Sequence, residues 1–111
     1  MNEEEARIAR TESVFRHVNE RIAETAETFD TGDAEFVCEC ADVDCQQRIE
    51  APLTEYEQVR EEPTTFLVAE GHEVPAYEHV RRRRRGYLIV EKMTRSLRNA
   101  VRRTNPRTKP A

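Results

Sequence analysis

Three cysteines fall within eight residues, at Cys38, Cys40 and Cys45, spaced Cys-x-Cys-x4-Cys. Thiolates and imidazoles are the donors that zinc takes, four at a time and tetrahedrally where its role is structural. Side chains two apart on an extended strand point to the same side, so Cys38 and Cys40 can chelate together. A tight loop over Ala41–Asp44 brings Cys45 back to them, with Asp42 and Asp44 left to solvent. The fourth donor comes from three histidines. His17 sits in a helical pattern and His79 beside a run of arginines. His72 follows Gly71 at the end of an apolar segment, where a loop can turn the ring inward, so it completes the expected set Cys38, Cys40, Cys45 and His72. Four protein ligands leave no place for a catalytic water, which makes the expected Zn2+ structural. Two other readings stay open: reduced cysteines buried as small apolar groups, or a reactive thiol.

Other catalytic signatures are absent from the sequence. There is no Gly-rich phosphate loop among only three glycines, no G-x-S-x-G and no H-E-x-x-H. The numerous carboxylates read as solvated helix faces. Arg81–Arg85 are five consecutive arginines, followed by Arg95, Arg98, Arg102 and Arg103 and, further on, Arg107 and Lys109. Guanidinium groups match phosphate oxygens, so Arg81, Arg82, Arg83, Arg84, Arg85, Arg95, Arg98 and Arg102 are candidate contacts to RNA or DNA. A charged, solvated turn of helix that pairs in part with the acidic N-terminal helix is the alternative. Only Tyr77 and Tyr87 interleave with this charge, too few for a stacking platform.

These residues need elements to hold them. Residues 3–28 read as one helix, with Ile8, Phe15, Ile22 and Phe29 recurring every seven residues beside Val18. The stripe should lie on the protein's own sheet; a helix pair across a homodimer is the alternative, although Thr11 and Thr25 make a poor seam. Residues 30–33 (DTGD) signal a turn. Strands are expected at Glu35–Cys40 and Gln47–Ala51, forming a hairpin closed by the cysteine loop. Thr54 and Glu57 fit a capping box for a helix over 55–62, and Pro63 stops it. Thr65–Ala69 and Tyr87–Lys92 read as strands. Pro75 and Gly86 bracket a short helix over 75–85 with Tyr77 and Val80 inward. Residues 94–104 form a final basic helix with Met93, Leu97, Ala100 and Val101 at helical spacing. The expected fold is α+β: one antiparallel sheet of about four strands, the N-terminal helix across one face, and the cysteine hairpin tied by zinc. Residues 1–104 make a single domain and 105–111 a disordered tail.

The segments Phe36–Cys45 (FVCECADVDC), Leu53–Arg60 (LTEYEQVR), Gly71-His72 and Tyr87–Lys92 (YLIVEK) resemble a group of small uncharacterised actinobacterial proteins. Their pattern reads FVCECAD-x2-C, then LTxxEYxxVR, then GH and a Y-x-V-V-E-K strand. The resemblance covers roughly residues 15–92 and implies that the three cysteines and the histidine act as one set. It implies no activity. Glu70 stands where the pattern has proline, and residues 93–111 lie outside it.

Composition bounds the rest. The chain has 111 residues, 36% charged, 37% hydrophobic and without tryptophan, so its core is modest and a metal staple would help. Residues 1–62 carry eighteen acids and six bases, a net of −12; residues 63–111 carry four acids and twelve bases, a net of +8. The halves should attract, and the overall acidity argues against indiscriminate nucleic-acid binding. An acidic N-terminus, no membrane-length apolar run and an odd cysteine count point to a cytoplasmic protein with reduced thiols or a metal. The expected function is a non-enzymatic, zinc-stabilised protein-interaction or regulatory module with an unknown protein partner. A nucleic-acid-associated protein is the alternative, and a thiol-based redox sensor the second.

Overall fold

A computed structural model describes residues 1–107. Helix α1 spans Glu3–Thr28. It starts with a capping box: the Asn2 side chain accepts from the Glu5 N–H at 2.7 Å, and the Glu5 carboxylate accepts from the Asn2 N–H at 3.3 Å. It ends where Asp30 enters the left-handed region at φ 53°. Strands β1 (Asp33–Val37) and β2 (Arg48–Pro52) form an antiparallel hairpin with Phe36 opposite Ile49. Helix α2 (Leu53–Arg60) leads to β3 (Thr65–Ala69), β4 (Glu78–Arg84), β5 (Tyr87–Lys92) and helix α3 (Arg95–Arg103).

The fold is α+β with small antiparallel sheets. The strands divide into two sheets: β1-β2, and a three-stranded sheet in the order β3-β5-β4. This corrects the expectation of a single sheet of about four strands. The difference arises because the Cys38–Cys40 segment leaves the β1 ladder and runs along the free edge of β3. There the Glu39 N–H donates to the Leu67 carbonyl at 2.7 Å. Phe36 stacks on Tyr56 with ring centroids 4.5 Å apart, and Phe66, Leu67, Val68, Leu88 and Val90 complete the core between the sheets.

Three further expectations are corrected. Residues 75–85 are not helical. After a turn at 75–77 the arginine run forms β4, an edge strand paired with β5 and broken by a bulge at Arg81. The run has no apolar period to bury as a helix. Gly86, at φ 84°, closes a tight hairpin turn with Arg85 rather than capping a helix. Thr54 and Glu57 form no capping box, because α2 begins two residues earlier, at Leu53, with Pro52 at its cap and no side-chain cap bond. The Leu53 N–H instead donates to the Gly32 carbonyl at 2.8 Å. Nor is all of the tail loose: Arg107 pairs with Glu20 and with Glu57 at 2.5 and 2.6 Å. Residues 108–111, with Lys109, lie outside the described residues.

The largest departure concerns α1. Its buried face is polar, made of Glu5, Glu12, Arg16, Asn19 and Glu20 alongside Ile8, Ala9, Ala23 and Ala26. Of the predicted stripe only Ile8 is fully buried, while Val18 is 40% and Phe29 73% exposed. The carboxylates are therefore not all solvated: Glu12 and Glu39 have no exposed surface. The physical reason lies in the sheet edges, whose unpaired backbone groups must find partners when covered. Asn19 donates to the Val37 carbonyl and accepts from the Val37 N–H, both at 2.8 Å, completing β1. Arg16 donates to the Thr65 carbonyl at 2.6 Å, and Glu39 accepts from the Leu67 N–H at 2.9 Å, completing β3.

A second buried cluster lies nearby. Lys92 pairs with Glu78 and lies 2.6 Å from Glu12 Oε1, beside the Phe66 ring. Beyond this ion pair neither Glu12 oxygen has a hydrogen-bond partner among the described residues. Burial, outweighing the attraction of Lys92, pushes the Glu12 carboxyl up to about 7. A carboxyl raised in the folded state holds a proton that the unfolded chain has released. Stability contributed this way is present below the unfolded value, near 4.5, and falls as pH rises toward 7. At about 1.4 kcal/mol for each tenfold change in proton affinity, the span is on the order of 3 kcal/mol. Urea unfolding of wild type and Glu12→Gln between pH 5 and 8 checks this. The wild type should lose stability relative to the variant as pH rises, and a constant difference would contradict it.

Candidate metal centre

Each ligand owes its place to a local feature. Beyond β1 the hairpin continues with the Cys38 N–H donating to the Gln47 carbonyl at 3.2 Å. The extended backbone then turns Cys38 and Cys40 to one side and Glu39 to the other. The loop to Cys45 is an Asp-supported turn: Asp42 Oδ1 accepts from the Asp44 N–H at 2.9 Å, and the Asp42 carbonyl from the Cys45 N–H at 3.0 Å. His72 is delivered by a turn after β3. Its N–H donates to the Ala69 carbonyl at 3.0 Å, with Gly71 at φ 86°, a conformation that side chains resist.

The ligand atoms of Cys38, Cys40, Cys45 and His72 all lie within 4.8 Å of one another. His72 Nδ1 is 3.7 Å from Cys38 Sγ and 3.5 Å from Cys45 Sγ. A tetrahedron with bonds of about 2.0 Å to nitrogen and 2.3 Å to sulfur sets its corners roughly 3.5–3.8 Å apart. The four residues are thus positioned to bind a metal ion. The Ala69 N–H also donates to Cys38 Sγ at 3.1 Å, the kind of bond from outside the ligand shell that stabilises a thiolate. Cys38 and Cys40 are buried and Cys45 is partly exposed. An open cleft of about 500 Å³, lined by Arg7, Cys40, Asp42 and His72 among others, reaches the cluster from solvent.

The thiols also fit a cation. Hydrogen bonding from Cys38 lowers the Cys40 thiol to about 5, whereas the same bond, with burial, pushes Cys38 up; burial pushes Cys45 up as well. Crowding thus favours one thiolate, because three negative sulfurs repel across a few ångströms. A divalent cation supplies the charge that lets all three ionise.

Sequence reasoning missed the residues that hold this turn in place. Arg16 clasps Glu39 in a two-pronged pair at 2.7 and 3.2 Å, both side chains buried, and Asn19 adds a third bond to Glu39 at 3.1 Å. The one signal for them is alternation: a residue between two same-side cysteines must face the opposite way, here into the protein.

The predicted basic residues gather less tightly. All five of Arg81–Arg85 are exposed. Arg81 and Arg98 share Glu91 at 3.0 and 3.1 Å, and Arg84 pairs with Glu55 at 2.8 Å. The run therefore pairs with β5 and α2 rather than with α1. Arg95, Arg98 and Arg102 line an open hollow along α3 with Met93.

The fold and the cluster together define the class: an α+β protein with a three-cysteine, one-histidine cluster, positioned to bind a metal ion, between a hairpin and a sheet. No protein-family model matches the chain, and no curated protein or solved structure matches it either. Among the described residues, no helix is long and apolar enough to cross a membrane.

Proposed function

We propose that this chain is a non-enzymatic protein-interaction or regulatory module stapled by one structural Zn2+. The observation that carries the reading is the convergence of three sulfurs and one ring nitrogen within 4.8 Å. That donor set is soft enough for zinc and fills a tetrahedron with no place for substrate or water. The ion would join the β1-β2 hairpin, through its three cysteines, to the turn after β3, through His72. A reducing compartment, the cytoplasm, would keep such thiols available. Native thiol labelling separates this reading from a redox sensor. With metal in place the three cysteines should resist a thiol reagent and should react together once a chelator is added. Rapid labelling of one cysteine in the metal-loaded protein would favour the sensor.

A second reading is supported by the exposed β4 edge. Arg83 and Arg85, toward the β4-β5 turn, and Arg95, at the start of α3, have no ion pair among the described residues, and unpaired guanidinium groups suit a phosphate backbone. On this reading, alanine at all three positions lowers the slope of log affinity for RNA against log salt by about 2 to 3. An unchanged slope in a salt titration removes the reading.

A further inference from the structure

One flank of the C-terminal half of α1 is apolar where a solvated helix surface would be polar. Steps of 100° per residue place Val14, Val18, Ile22, Thr25 and Phe29 within about 80° of one another, to one side of the buried face built from Glu12, Arg16 and Asn19, with half-buried Ile22 at the border. Val14 is 61% and Phe29 73% exposed. Beside this stripe an open groove of about 420 Å³ runs between α1 and the start of β1, lined by Val18, Arg21, Ile22, Thr25, Asp33 and Ala34. The molecule thus carries an uncovered aromatic knob and an uncovered apolar groove on one surface.

We propose that this surface joins two copies of the chain in a symmetric dimer, Phe29 of each copy seating in the groove of the other. A twofold axis uses one patch twice, so a single self-complementary arrangement covers both features in both copies. A different partner would need a matching groove and knob of its own. Charge agrees with this choice. Arg21 stands on the groove rim and Asp30 directly follows Phe29, and neither has an ion pair among the described residues. Seating Phe29 brings Asp30 of one copy toward Arg21 of the other, twice over, which fixes register more than it adds affinity. The proposal is independent of the metal reading, since no groove residue is a metal ligand or lines the cleft beside the ligands.

Sedimentation equilibrium of the full, metal-loaded chain tests it, with Phe29→Ala and Thr25→Arg as variants. Both positions are exposed, so circular dichroism and metal content should match wild type. The wild type should show a concentration-dependent monomer–dimer equilibrium. Phe29→Ala removes the knob and Thr25→Arg blocks the groove, and each should raise the dimer Kd about tenfold or more. Mixing the two variants restores one intact knob-in-groove half, because Phe29 of the Thr25→Arg chain meets the open groove of the Phe29→Ala chain. The mixture should therefore associate more tightly than either variant alone. A wild type that stays monomeric at every concentration overturns the proposal, whatever else binds that face. So does a mixture that associates no better than its components.

Discussion

Stripping the metal lowers the melting temperature of this protein by about 15 °C or more, and Cys45→Ser reproduces most of that loss. On the proposed reading the ion would tie two segments together, the Asp42–Cys45 turn and the turn at His72, beside an open cleft. A ligand that binds only the folded state stabilises it by about 4 kcal/mol when its free concentration is a thousand times its Kd. At roughly 4 °C per kcal/mol for a chain of this size, the drop follows. Cys45 is the informative position because it is partly exposed, whereas serine at buried Cys38 or Cys40 would also disturb packing. Calorimetry of wild type and Cys45→Ser, each with and without a chelator, checks the expectation. The two apo proteins should melt together, and the gap should appear only with metal. Equal melting of wild type with and without chelator would show that the staple contributes nothing.

Arg16→Met costs about 3–5 kcal/mol, and Glu39→Gln costs a comparable amount, because removing one partner of a buried pair strands the other charge away from water. Arg16 and Glu39 are 3% and 0% exposed at their side chains. The loss exceeds one pair, because the two residues also satisfy Thr65 and Leu67 at the free edge of β3. It should reach the metal as well. Glu39 lies between Cys38 and Cys40, so releasing its carboxylate loosens the turn that aims both sulfurs, and metal affinity should fall about 10- to 100-fold. Urea unfolding and competition with a colorimetric chelator measure the two effects. A stability loss below about 1 kcal/mol, with metal affinity intact, would place the pair among surface-like contacts and refute its positioning role.

What the sequence disclosed and what it concealed divide along physical lines. Local rules locate α1 at residues 3–28 and β3 and β5 at 65–69 and 87–92, because apolar period and β-branched content act over a few residues. The ligand set is legible for the same reason: Cys38 and Cys40 two apart, a turn-forming Ala41–Asp44, and Gly71 before His72 are short-range features. Residues 81–84 mislead because an all-arginine segment has no period, and its state is decided by β5 offering an edge. The face of α1 misleads more instructively. Heptads of Ile8, Phe15, Ile22 and Phe29 point to an apolar inner stripe. What decides its orientation is the open backbone of β1 and β3, which asks for Asn19, Arg16 and Glu39. Those partners stand between 18 and 49 residues from the groups they satisfy, beyond the reach of any local pattern.

Three sulfurs and one imidazole holding a single structural zinc ion are what the staple, the closed site and the non-enzymatic reading all require. Zinc-edge X-ray absorption on the purified protein, with metal quantified in the same sample, decides whether they do. The expected result is one zinc per chain, with three sulfurs at about 2.3 Å, one nitrogen at about 2.0 Å and no oxygen. Protein without stoichiometric metal, or a shell containing water or fewer than three sulfurs, would contradict it.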